Sequence, residues 1–155
     1  MAITAPIITI TERETDSPVT QWDSGIIKQN EESNVLHLRI WNNKGGETAV
    51  SHLKEVTITT LDTDGGANSP VIINRWVQVK LAEETEFVAI GGTTTKSLKA
   101  LGVNEVDGFE ILGTANDGTS DSTTNYCDID LKIVVPINAA GGIYDFKTRI
   151  SGYYT

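Results

Sequence analysis

Cys127-Asp128-Ile129-Asp130-Leu131-Lys132-Ile133-Val134-Val135 decides the fold class of this chain. Its side chains alternate apolar and polar, the period of a strand with one face toward a core and the other toward water. Pro136-Ile137-Asn138-Ala139-Ala140-Gly141-Gly142 interrupts the pattern with residues suited to a turn. Alternation resumes in Ile143-Tyr144-Asp145-Phe146-Lys147-Thr148-Arg149-Ile150 and runs nearly to the carboxyl end. The reading is a closing pair of strands, a hairpin.

Similar patterns lie upstream. Residues 34–41 place Leu36, Leu38 and Ile40 on one side and His37, Arg39 and Trp41 on the other, and Asn42-Asn43-Lys44-Gly45-Gly46 ends that strand. Residues 54–61 form a β-branched run. Residues 71–81 read as the longest strand, although Arg75 falls in its apolar register and predicts a bend, a bulge or two covered faces. Residues 87–90 and 109–112 read as short strands, and residues 96–101 as one or two helical turns. Residues 114–125 are a polar, low-complexity loop expected to project from one end. Residues 3–10 read as a first strand or an extended arm, so residues 1–20 are set apart as an amino-terminal strand or arm and residues 21–155 as one domain. The expected fold is all-β, an immunoglobulin-like antiparallel β-sandwich of about seven to nine strands.

The 155 residues suit one domain. A domain of that size buries about 70% of the surface its unfolded chain exposes, and needs neither metal nor disulfide for stability. With 21 acidic and 12 basic side chains the net charge is −9, which opposes binding to nucleic acid or an anionic membrane. Residues 1–7 lack the basic start and apolar run of a secretory signal, and no apolar run approaches the ~20 residues of a membrane span. Synthesis and folding in a cytoplasm are expected. Cys127 is the single cysteine and shares parity with Ile129, Leu131 and Ile133, so it reads as a small core residue rather than a nucleophile.

The search for chemistry yields no catalytic, cofactor-binding or metal-binding set, and no enzyme is expected. Gly91-Gly92-Thr93-Thr94-Thr95-Lys96-Ser97 resembles a phosphate loop superficially, but Thr95 and Ile90 stand where that motif needs glycine. Asp62, Asp64 and Gly65 open like a calcium loop whose twelfth position is Ile73 instead of an acid; a looser site with Asp117 or Asp121 stays open. His37 and His52 lie on separate segments, and His37 is expected to be exposed. Asp128 and Asp130 share a strand face, read as solvated surface.

The aromatic residues admit two readings. They can pack a sandwich core, or present a flat platform for stacking on sugar rings. Trp41, Asn42, Asn43 and Trp76 are the candidate partner- or glycan-contact residues, with Trp41 beside Asn42 and Asn43 leading.

The segment Pro136-x-x-Ala139-x-Gly141-Gly142-x-Tyr144 resembles the last hairpin of many bacterial immunoglobulin-like modules. Trp41-Asn42-Asn43-Lys44-Gly45-Gly46, Arg75-Trp76-Val77-Gln78-Val79-Lys80 and Tyr153-Tyr154-Thr155 are similar to segments of small virion proteins of tailed phages that infect Gram-positive bacteria. The resemblance implies a capsid-decorating or tail-associated structural protein, with the capsid surface as its expected location. The implied partner is the major capsid protein or another virion protein, met as a homo-oligomer on a symmetric lattice. A carbohydrate- or host-surface-binding module of a tail or baseplate, with a host-surface glycan as ligand, is the alternative. If residues 3–10 form an arm, it would order on a partner by adding a strand to an open edge.

Overall fold

A computed structural model describes residues 4–155. Eight strands among the described residues form two antiparallel sheets. β1 (Ile8–Glu12), β2 (Leu36–Asn42) and β3 (Lys54–Leu61) come first. After a one-turn helix α1 (Pro70–Ile73) come β4 (Val77–Leu81), β5 (Val88–Ile90) and β6 (Lys96–Ser97). A 3-10 turn at Glu105–Asp107 precedes β7 (Tyr126–Ile133) and β8 (Lys147–Tyr153). The larger sheet has the order β1-β2-β7-β4-β5 and the smaller β6-β3-β8. The chain is thus all-β, with a sandwich-like architecture.

β7 is the central strand of the larger sheet. Leu38 faces Ile129 and Ile40 faces Cys127 on one side, while Val79 faces Leu131 and Val77 faces Ile133 on the other. These residues are buried and meet Val56 and Ile58 of the smaller sheet in one core. Burial of the Cys127 thiol pushes its pKa upward, as a core residue requires.

The expected closing hairpin is not formed. β7 pairs with β2 and β4, whereas β8 pairs with β3 in the other sheet. Hairpins fix their partner through loops of about two to five residues. The connection from Val134 to Phe146 is longer, so it crosses between sheets instead. Its apolar–polar alternation before Lys147 is not strand either, and Ile143 is 95% exposed.

Residues 71–81 divide in two. Pro70 occupies the first turn of α1, and Val71 and Ile72 are buried side by side, a helical rather than a strand pattern. The helix ends in paired bonds from the Arg75 N–H to the Ile72 carbonyl and from the Trp76 N–H to the Val71 carbonyl. That reversal places Arg75 at φ 50°, the left-handed position usually given to glycine. Only Val77–Leu81 remains extended.

Three shorter expectations also change. Lys96 and Ser97 pair with Ile58 and Thr57 rather than opening a helical turn. Residues 109–112 contribute an isolated bridge from Ile111 to Leu53 instead of a strand. The amino-terminal strand is β1, which starts at Ile8 and pairs with β2; Ile3 of the expected run lies outside the described residues.

Candidate functional site

The polar face of the larger sheet is assembled by cross-strand register. His37 stands opposite Asp130, Arg39 opposite Asp128, Trp41 opposite Tyr126, and Lys80 opposite Asp130 from the other flank. Arg13, following β1, lies across the same carboxylates, its Nη2 2.6 Å from Asp130 Oδ1. Arg39 holds Asp128 with a fork of two bonds, 2.7 and 3.0 Å. Lys80 Nζ sits 3.0 Å from Asp130, and His37 Nδ1 sits 2.7 Å from it.

Asp128 and Asp130 are therefore buried and saturated with donors, not a solvated surface. Burial raises the carboxyl pKa of Asp130, but bonds from His37, Lys80 and Arg13 outweigh it and hold the value at about 2. The bonds to Asp128 raise Arg39 above its ordinary value. His37 remains partly exposed, as its strand parity indicated, while bound to Asp130. Cys127, in the neighbouring register of β7, is buried in the core and does not join the His37–Asp130 pair.

Trp41, Asn42 and Asn43 are interior residues. Trp41 has no exposed surface; its ring packs on Tyr126 with centroids 4.9 Å apart, beneath the Lys44 ammonium. A ring without an accessible face offers no stacking platform. The Asn42 amide accepts from the Ile7 N–H and donates to the Ser51 and Ile111 carbonyls. The Asn43 amide donates to the carbonyls of Thr48 and Gly113. Asn116 and Asn125 complete the clamp by donating to the Asn43 and Leu112 carbonyls. The polar loop expected to project is in this way tied down at both ends, and Tyr126 donates its hydroxyl proton to the Ser120 carbonyl within it.

The calcium-like and phosphate-like segments use their groups internally. Asp62 accepts the Asn68 N–H at 2.7 Å, Asp64 accepts the Gly66 N–H, and Asp117 accepts from Thr119 and Ser122 on another loop. Among the described residues no group of three or more His, Cys, Asp or Glu is placed to hold a metal. The N–H groups of Gly91, Gly92 and Thr94 donate to carbonyls of Thr94, Thr60 and Gly91, leaving none of the three to wrap a phosphate.

Two open clefts lie on either side of the segment from Pro70 to Trp76. One open cleft of about 390 Å³ is floored by Trp76 and edged by Asn74, Pro136 and Asn138. Trp76 is 5% exposed, and Tyr144 meets its ring edge-on at 5.0 Å. The second cleft, also about 390 Å³, runs between the end of α1 and the turn Gly91–Thr94, with Arg75 and Arg149 on its walls. Of the four candidate contact residues, only Trp76 borders either cleft. The second cleft was foreshadowed in sequence by one signal, Arg75 standing in an apolar register; Arg149 gave none.

No known family model matches the chain, and no curated protein matches its sequence. Among the described residues no helix is long and apolar enough to cross a membrane.

Proposed function

We propose that this chain is a non-enzymatic structural protein of a phage virion that decorates the capsid surface through protein–protein contacts. The observation that carries the reading is the open edge of β8. This strand pairs with β3 on one side only, and among the described residues its other row of backbone groups meets no other strand. Ile143 ahead of it, and Tyr153 and Tyr154 at its end, are large exposed apolar groups beside that edge in sequence. An uncovered edge flanked by apolar side chains is a template for a partner's strand.

The opposite limit of the fold is managed differently. β1 is closed by its own chain, because Val19 donates its N–H to the Ile10 carbonyl and Glu12 to the Ser17 carbonyl. The contrast favours β8, rather than an amino-terminal arm, as the assembling element. Consumption of Asp128, Asp130 and His37 in structural bonds supports the non-enzymatic part of the reading. The finer assignment as an immunoglobulin-like sandwich is supported by two antiparallel sheets that share one core, and not by the segment Pro136 to Tyr144, which forms no hairpin. The partner would be the major capsid protein or another virion protein, with copies related by lattice symmetry.

Mass spectrometry of separated heads and tails from purified virions tests the reading. Stoichiometric presence in heads, and binding of the purified chain to undecorated capsids, are the expected results. Absence from both fractions would sink it. Presence in tails alone, with binding to a host glycan lost in Trp76→Ala, would support the glycan-binding alternative, since Trp76 is the one candidate aromatic that borders a cleft.

A further inference from the structure

We propose that the cleft between the end of α1 and the turn Gly91–Thr94 binds a carboxylate-bearing peptide segment of a partner protein, clamped by Arg75 and Arg149. The inference rests on the partner-binding reading above and names one of its contacts.

Charge distribution gives the first argument. In a chain of net charge −9, most lysines and arginines stand within ion-pair distance of an acid. Among the described residues Lys28, Lys54, Arg75, Lys147 and Arg149 do not. Arg75 and Arg149 line this cleft, and Lys147 reaches its rim beside Gly65. Register explains the placement: Arg149 pairs with Thr59 and Lys147 with Leu61, so all four share the face of the smaller sheet opposite Ile58. The Thr59 hydroxyl in turn donates to the Gly92 carbonyl, which fixes the turn against that face.

Backbone strain gives the second argument. The reversal after α1 puts a left-handed residue at position 75, where glycine is the unstrained choice. An arginine held there carries some backbone strain, as Glu55 does at the same φ, but only Arg75 of the two lines a cleft. Gly91 makes room for it, since a Cβ at that position would stand 2.5 Å from the Ile72 carbonyl and 3.1 Å from Arg75 Cγ. One guanidinium nitrogen of Arg75 donates to Thr94 Oγ1 at 3.3 Å, and its other N–H groups have no acceptor among the described residues.

The lining selects the ligand. Leu61, Ala67, Ile72 and Ile73 make much of the cleft apolar, and its volume exceeds what one bare oxyanion fills. Guanidinium forks beside an apolar wall suit a carboxylate carried on an organic chain with an adjacent apolar side chain. Asp62 and Asp64, on the neighbouring loop, hold backbone N–H groups and leave both guanidiniums free.

The test uses the purified chain in ¹H–¹⁵N NMR titrations with an acetylated, amidated pentapeptide alternating leucine and glutamate. Its glutamine counterpart and inorganic phosphate are the comparison probes. Shifts confined to Gly91–Thr94 and the Nε–H signals of Arg75 and Arg149 are expected, with at least about tenfold weaker binding of the glutamine peptide. Arg75→Gly should raise the thermal midpoint by about 2–4 °C through relief of strain, yet weaken peptide binding at least about tenfold. Arg149→Gln should weaken it similarly, and Lys28→Gln, an equal change in net charge, by less than about twofold. Equal binding of the glutamine peptide, unchanged binding in Arg75→Gly, or phosphate producing the same shifts at lower concentration each overturn the proposal. Capsid association is measured separately, so failure here leaves the assembly reading intact.

Discussion

β7 and β8 both belong to segments read from the sequence as alternating strands, and they occupy opposite situations. β7 lies between β2 and β4, with nearly every residue buried, including the acids on its polar face. β8 lies at the edge of the other sheet, with five of its seven residues exposed. Alternation states that a segment has two unlike faces. It says nothing about whether the polar face meets water or a second set of charged side chains.

The comparison can be broken by substitution. The largest effect is expected for Ile129→Ala, which empties a fully buried site in the middle of β7. A loss of about 4 kcal/mol in urea unfolding is expected. Asp128→Ala should follow at about 3 kcal/mol, because it leaves Arg39 and its fork of donors without an acceptor under the sheet's polar cover. A loss below about 1 kcal/mol would mean that the polar face of β7 behaves as ordinary surface.

Acid sharpens the comparison. The Asp130 carboxyl is held at about 2, below its ordinary value, so its stabilisation is fully present above that ordinary value and is lost as pH falls through about 2. Unfolding free energy should drop by about 2 kcal/mol from this group between pH 5 and pH 2, read as the difference in slope between the parent and Asp130→Asn. Identical slopes would remove Asp130 from the linkage. The smallest effect belongs to β8: Thr148→Ala, exposed on the edge strand, should change stability by less than about 0.5 kcal/mol. A larger loss would show that the edge is covered in solution.

Much of the fold was legible, and the reason is local. Residues 54–61 coincide with β3, and Cys127, Ile129, Leu131 and Ile133 all reach the core their parity indicated. The error at residues 71–81 has a local origin as well. Val71 and Ile73 fit a strand's period, but Pro70 and the buried neighbours Val71 and Ile72 fit the first turn of a helix, and short apolar runs serve either period. Arg75 was the visible warning.

The candidate site was less legible. Trp41 shares parity with His37 and Arg39, which read as an outward face, yet Tyr126 and Lys44 close over it. Asn42 and Asn43 looked like turn residues and act as clamps for carbonyls about seventy positions away. Arg75 and Arg149 are far apart in sequence and meet because β8 crosses to the sheet of β3.

By itself the sequence determined that the chain is all-β, which apolar residues of β2, β3 and β7 face the core, and that Cys127 is packing rather than chemistry. These follow from side-chain spacing along a single strand, a property the strand carries before it has neighbours. Only the tertiary structure decided that the last two strands part company, that Asp128 and Asp130 are enclosed by Arg13, His37, Arg39 and Lys80, and that an arginine cleft opens beside α1. Pairing between strands separated by long connections depends on loop closure and shared burial across the whole chain, and no local spacing encodes it.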